Sequence, residues 1–171
     1  MIDKYDCKKA EKARGQGRQV WWYFCEQPRA PYPNMFVECP PIEARLMMGA
    51  MTAKYRPDGF LYYEIAYWNS PRPITGGPFT EWTPVTLPRL HGDGSWVCCG
   101  PDGMPLSTQR LENFRDGLDD YACVKMAEAR TGRRVEVPES LVRTLRDFTD
   151  SPSDVRAWRN RIADELSARP E

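Results

Sequence analysis

Hydrophobic positions along the chain gather into a few blocks separated by proline- and glycine-rich stretches. Residues 3 to 15 mix Lys and Glu around Ala10 and Ala13 and end at Gly15-Gln16-Gly17, which predicts a short polar helix with a glycine stop. The run Val20-Trp21-Trp22-Tyr23-Phe24-Cys25 is β-branched and aromatic with no polar alternation, the pattern of a strand covered on both faces in a parallel sheet. A proline-rich loop is expected from Glu26 to Glu38. Pro40-Pro41 then predicts a helix start, with Ile42, Leu46, Gly49, Ala50 and Ala53 forming a small-residue apolar face up to about Tyr55. Beyond the turn at Pro57-Asp58-Gly59, the run Gly59-Phe60-Leu61-Tyr62-Tyr63-Glu64-Ile65 predicts a second buried strand and completes a βαβ crossover.

The second half is less regular. From Tyr67 to Gly94 no period holds, and the four aromatics Tyr67, Trp68, Phe79 and Trp82 argue for an ordered, functional loop. Ser95-Trp96-Val97-Cys98-Cys99 predicts a third strand, and Gly100-Pro101-Asp102-Gly103 a turn. A long helix is expected from about Ser107 to Arg130, with Leu111, Phe114, Leu118, Tyr121 and Met126 on its apolar side. Two amphipathic helices are expected to close the chain. One is centred on Leu141, Leu145 and Phe148; the other opens at Ser151-Pro152-Ser153-Asp154 and carries Val155, Trp158, Ile162 and Leu166. Three strands fall short of the eight or so in a closed barrel, so the pattern fits a small open sheet or the end of something larger.

Composition narrows the function classes. At 171 residues and 41% hydrophobic content the chain is long enough for a core. Lys plus Arg and Asp plus Glu both total 24, and no single-sign run stands out to attract nucleic acid or an anionic membrane. Met1-Ile2-Asp3-Lys4-Tyr5-Asp6 lacks the apolar region of a secretory signal, and no segment approaches the roughly 20 apolar residues of a membrane span; the chain as written is expected to be soluble and cytoplasmic. Six cysteines without a C-x-x-C pair, and the single His91, predict no metal site, and no cofactor motif is present. Of 16 prolines, 13 lie between Pro28 and Pro105, which places the long stiff loops in the middle of the chain.

Three segments in this order resemble a known family. They are Val20–Cys25, then Gly59–Glu64 with Tyr67-Trp68, then Gly92-Asp93-Gly94 leading through Gly100-Pro101 to Arg110-Leu111-Glu112-Asn113-Phe114-Arg115-Asp116-Gly117-Leu118-Asp119-Asp120-Tyr121. Over residues 18 to 130 the chain resembles the C-terminal portion of the glycoside hydrolase family 123 catalytic domain, whose members include retaining β-N-acetylgalactosaminidases. The Arg-Asp-Gly-x-x-Asp-Tyr helix is the most specific part of the likeness. The resemblance implies an α/β fold: a partial TIM-like (β/α) barrel of about three parallel strands with flanking helices over residues 1–131, followed by a helical extension over 132–171. It also implies substrate-assisted chemistry, in which the sugar's 2-acetamido oxygen attacks while an adjacent Asp-Glu pair orients that group and protonates the leaving oxygen. The only Asp-Glu here, Asp164-Glu165, lies in the last expected helix. The catalytic pair is therefore expected to be absent and the chain inactive alone. The alternative is a non-catalytic carbohydrate-binding or structural remnant. Expected partners are a carbohydrate and either the missing N-terminal barrel half or a second copy.

Candidate site residues follow from the loops after each strand, where barrel sites are built. Glu64 ends an apolar strand and should face either a sugar or an ion-pair partner. Glu26 holds the matching place after the first strand, so the two could form a glycosidase carboxylate pair if about 5 Å apart, or Glu26 could simply be solvated. Tyr67, Trp68 and Trp82 are candidate platforms for sugar rings, whereas Trp22 and Tyr23 are expected in the core. Asp93 is a hydroxyl ligand or a turn residue, and Arg110 a site residue at the start of the long helix. Arg115, Asp116 and Asp119 are expected to fasten that helix to the sheet. His91 and Cys98-Cys99 carry no motif that would make them catalytic.

Overall fold

The computed structural model describes residues 1–35, 38–65, 85–87, 90–91, 96–99 and 104–168. A 3-10 turn (Ile2–Lys4) leads into α1 (Cys7–Gly15), whose first turn is capped by the Asp6 carboxylate accepting the Lys9 N–H at 2.9 Å. Strands β1 (Trp21–Phe24) and β2 (Gly59–Tyr62) pair in parallel, Trp21 opposite Gly59 and Phe24 opposite Tyr62. Between them α2 (Ile42–Leu46) runs through one π-helical stretch (Met47–Met51) into α3 (Thr52–Tyr55). That helix stops at Arg56, which adopts a left-handed φ of 54° ahead of Pro57. Asp58 then fixes the entry to β2, accepting the Val20 N–H at 2.7 Å and the Arg14 guanidinium at 3.1 Å. The crossover predicted by the apolar runs is thus realised.

Alternation along the two strands sorts their side chains onto two faces. Trp22, Phe24, Phe60 and Tyr62 point toward the helices: Phe60 packs on Phe114 at 5.4 Å between ring centres, Tyr62 on Trp96 at 4.5 Å, and Trp22 on Tyr5 and Tyr55 at 5.6 and 6.0 Å. On the opposite face Trp21 and Leu61 are exposed and Tyr23 is half-buried, and Tyr63 and Ile65, just beyond β2, are exposed as well. This corrects the expectation that the first strand is covered on both sides. An apolar run without alternation records that both faces are apolar, not that both are covered.

The third expected strand, β5 (Val97–Cys99), pairs antiparallel with β6 (Pro105–Ser107), Val97 opposite Ser107. So two of the three expected parallel strands pair in parallel, and the third lies in a separate two-stranded sheet, with one hydrogen bond from the Trp96 N–H to the Ile65 carbonyl at 3.2 Å between the segments that flank it and β2. Two further short strands, β3 (Val85–Leu87) and β4 (Leu90–His91), form another antiparallel pair in a region expected to be irregular. Among the described residues the fold is mixed helix and strand with small two-stranded sheets. No helix among them is long and apolar enough to cross a membrane.

Helix α4 (Gln109–Thr131) begins at Thr108, whose side chain accepts the Leu111 N–H, and ends at Gly132 with φ of 65°. Its deepest positions are Gly117, Asp120, Val124 and Ala127, while Leu118 and Met126, assigned from spacing to the apolar side, are exposed. The closest crossing is with α2 at Gly117, where an added Cβ would lie 2.6 Å from the Arg45 carbonyl oxygen and 2.8 Å from the Met48 Cβ. Next to that crossing Asp120, 2% exposed, accepts Arg45 Nε at 2.6 Å and Nη2 at 3.0 Å, and pairs with Arg159 Nε at 3.2 Å. The helix is therefore fastened by Arg45 and Asp120. Of the three residues expected to take part, Asp116 does, pairing with Arg45 Nη1 at 3.7 Å, whereas Arg115 is mostly exposed and pairs, among the described residues, with Glu112 and Asp116 on its own helix, and Asp119 is exposed.

The tail departs from expectation in one element. Leu141, Leu145 and Phe148 lie on a hairpin of β7 (Val142–Thr144) and β8 (Asp147–Phe148), with Val142 opposite Phe148, and not on a helix. The i, i+4, i+7 spacing fits either state, because the hairpin turn at Leu145-Arg146 folds Leu145 back into the core beside Leu141 and Val142. Helix α5 (Pro152–Ser167) forms as expected, with Ser151 as its cap and Val155, Trp158 and Ile162 buried. Its Trp158 and Ile162 share one cluster with Trp22, Phe24 and Leu46.

Candidate functional site

The C-terminal ends of β1 and β2 point the same way, so the residues that follow them share one rim. Glu26 and Glu64 each stand two positions beyond the last paired residues, Phe24 and Tyr62, where the strand pairing has ended. Glu26 is exposed and Glu64 half-buried. No side-chain hydrogen bond or ion pair reaches Glu64 among the described residues, so the structural ion pair considered for it does not form there.

Arg110 sits in the first turn of α4, half-buried near the end of β2. Burial pulls its guanidinium below the ordinary arginine value, and the neighbouring Cys39, Glu38 and Tyr62 push it back up. It therefore brings a cationic group to the same end of the sheet as Glu64. Tyr67, Trp68, Trp82 and Asp93 lie outside the described residues. Cys98 is half-buried, and burial raises its thiol pKa, which disfavours the thiolate a nucleophile would need.

Sequence patterns missed the polar support beneath this rim. Asn34 is fully buried in the proline-rich loop; its Nδ2 donates to the Cys25 carbonyl at 3.2 Å and the Pro28 carbonyl at 2.8 Å, and its Oδ1 accepts the Met35 N–H at 2.7 Å. The Asn34 N–H in turn donates to Glu43 Oε2 at 2.9 Å. Burial raises the Glu43 pKa; hydrogen bonds from the Asn34 N–H and Cys39 lower it, and Asp150 adds to the rise. An Asn directly after Pro33, followed by a Glu in the first turn of the next helix, was the available signal.

The sign of the resulting pH dependence is fixed. A carboxyl whose folded pKa is raised binds its proton more tightly in the native state, so stability falls as pH rises from the ordinary glutamate range through the folded value. Glu43→Gln keeps an acceptor for the Asn34 N–H without that loss. Thermal denaturation should therefore find the variant more stable at pH 7 by on the order of 1 kcal/mol, with the difference vanishing below pH 4 or so. An equal difference at both pH values would show that Glu43 charge is not the cause.

With this geometry in place, comparison with known families is decisive. Residues 1–127 match the family described as glycoside hydrolase 123, catalytic domain. The chain belongs to the glycoside hydrolase 123 catalytic-domain family. No curated protein matches it. The matched stretch contains β1, β2 and most of α4, so the rim bearing Glu26, Glu64 and Arg110 lies inside the family domain, whereas the β7–β8 hairpin and α5 lie beyond it.

The Arg115-Asp116-Gly117-Leu118-Asp119-Asp120-Tyr121 stretch of α4 also acquires a physical meaning in this glycoside hydrolase domain. Gly117 permits the crossing of α2, Asp120 neutralises Arg45 at that crossing, and Tyr121 lies beneath the Arg56 guanidinium, 5.6 Å from its ring centre. Arg56 pairs as well with Glu128, which also accepts the Val135 N–H at 3.0 Å. Among the described residues these contacts hold helices together.

Proposed function

We propose that this chain supplies the sugar-binding rim of a family 123 glycosidase acting on β-N-acetylgalactosaminide-like substrates, without the carboxylates that carry the reaction. The observation that supports the absence of chemistry is positional. The Asp164-Glu165 pair lies in α5 with both residues exposed, beyond the matched residues 1–127. Substrate-assisted hydrolysis needs one carboxylate to orient the acetamido group and one acid to protonate the leaving oxygen, both beside the sugar. In this reading Glu64 accepts sugar hydroxyl or N–H donors, since a half-buried carboxylate gains from a donor supplied by a ligand. Arg110 donates from the start of α4, and Tyr67, Trp68 and Trp82 offer ring-stacking surfaces with Asp93 as a further hydroxyl ligand.

The test is direct. The chain alone should release no nitrophenol from 4-nitrophenyl N-acetyl-β-galactosaminide above the buffer rate, while N-acetylgalactosamine should bind weakly by NMR titration. Glu64→Gln should weaken that binding about tenfold, the scale of one charge-assisted hydrogen bond. Turnover by the chain that disappears in Glu64→Gln would instead make Glu26 and Glu64 a carboxylate pair, a rival favoured by their places just beyond the ends of two paired strands.

A further inference from the structure

A cavity of about 660 Å³ opens at the opposite end of α4 from the rim, between the connection that follows α4 and helix α5. Small-molecule sites occupy about 300–1,000 Å³, so it has the size of one. A rise of about 1.5 Å per residue puts roughly 30 Å between Arg110 and Thr131, which lines the cavity. Its lining begins at Thr131 and lies wholly beyond the matched residues 1–127, so the cavity belongs to the C-terminal extension. Three guanidinium groups line it, Arg133 and Arg134 from the connection and Arg161 from α5. Elsewhere Arg45, Arg56 and Arg159 are matched by carboxylates; among the described residues these three are not. Arg134 donates to the Ala53 and Lys54 carbonyls at 3.4 and 2.6 Å, neutral acceptors that hold the side chain in place and leave its charge without a counter-ion. The Arg133 and Arg161 side chains are exposed and make no hydrogen bond or ion pair among the described residues.

Glu136 and Glu165 line the same cavity, and neither carboxylate pairs with these arginines. Three cationic and two anionic groups therefore share one compact space, with one positive charge in excess. Beneath them Trp158 and Ile162 are buried, and the Trp158 N–H donates to the Glu136 carbonyl at 3.3 Å, which fixes the connection against α5. Mixed charge decides the kind of ligand. A polyanion needs an extended surface of one sign, which two glutamates interrupt here. A single excess charge is matched by a monoanion, and a planar carboxylate takes two parallel N–H bonds from a guanidinium. The glutamates, as acceptors, call for donors on the same molecule, and hydroxyl groups supply them without adding charge.

We propose that this cavity binds a small polyhydroxylated carboxylate, with Arg133 and Arg161 holding the carboxylate, Arg134 adding its charge from a fixed position, and the ligand's hydroxyl groups donating to Glu136 and Glu165. The site is independent of what the rim binds.

Glucuronate, glucose and acetate test it, because glucose has the hydroxyl groups without the charge and acetate the charge without the hydroxyl groups. In NMR titrations of the full chain, glucuronate should bind with a dissociation constant below about 1 mM, and glucose and acetate each about tenfold more weakly or worse. Arg133→Gln and Arg161→Gln should each weaken glucuronate about tenfold. Neither change should move the melting temperature of the free chain, since neither side chain has a partner to lose. Glu165→Gln should reduce the preference for glucuronate over acetate. Glu64→Gln, on the rim, should leave glucuronate binding unchanged; loss of binding there would move this ligand to the rim and overturn the assignment. Acetate binding as tightly as glucuronate would overturn the hydroxyl contacts, and tighter binding of glucose 6-phosphate would overturn the monoanion in favour of a phosphate ester. If no ligand of the set gives a saturable shift, the three arginines are solvated and the proposal falls, with the sugar reading of the rim untouched.

Discussion

Asp120→Ala should be among the most damaging single substitutions in this protein, lowering stability by about 3 kcal/mol. Its carboxylate, 2% exposed, is gripped by two nitrogens of Arg45 at 2.6 and 3.0 Å and by Arg159 at 3.2 Å. Removing one partner of a buried ion pair leaves the other charge desolvated and unmatched, a loss of about 3–5 kcal/mol. The lower end applies because the arginines retain some solvent, with side chains 21% and 29% exposed. Native proteins hold only about 5–15 kcal/mol in total, so the variant should melt roughly 6–12 °C lower or fail to accumulate. Asp120→Asn keeps the shape and one acceptor and should fall between. A loss under 1 kcal/mol in denaturant titration would mean that the pair is worth no more than a surface salt bridge. The network also spans the boundary of the family match, since Arg45 and Asp120 lie within residues 1–127 and Arg159 outside them. Truncation before α5 should therefore destabilise the family domain itself.

Which parts of this arrangement were legible in the sequence depends on how local their causes are. The helix across residues 42–55, α4 and α5 were readable because their starts carry local signals, Pro40-Pro41, Thr108 and Ser151, and their stops include Pro57 and Gly132. The parallel pairing of β1 and β2 followed from two aromatic runs separated by a helix. The Leu141–Phe148 hairpin was not readable, because a turn that returns Leu145 to the core gives the same spacing as a helix. The fastening residues were legible in part: of Arg115, Asp116 and Asp119, Asp116 does reach Arg45, at 3.7 Å, but the closer partner Asp120 was not singled out, because one helical position is about 100° of rotation and the face that meets α2 is the one holding Gly117 and Asp120. Glu26 and Glu64 follow the ends of the two paired strands, as their positions after the two runs suggested. The buried Asn34–Glu43 support was invisible because it depends on how the loop folds back on helix α2.

Gly117→Ala should be the second large loss, and it tests whether close packing outweighs helix propensity. In an exposed helix interior, exchanging Gly for Ala gains about 0.5–1 kcal/mol through backbone entropy. At Gly117 the new methyl would stand 2.6 Å from the Arg45 carbonyl oxygen and 2.8 Å from the Met48 Cβ. Neither atom is the end of a flexible side chain, so α2 must move away from α4. Overpacking of this kind costs about 1–3 kcal/mol, and the same displacement would lengthen the Arg45–Asp120 bonds beside it. We expect a net loss of about 2 kcal/mol. Gly15→Ala is the matched control: an added Cβ there meets nothing within 4 Å, and its φ is not in the left-handed region, so a small gain is expected. Equal effects at the two glycines would show that the α2–α4 crossing is not tight. Opposite signs would establish that α4 is shaped by that crossing, with Gly117 serving the packing of α4 on α2.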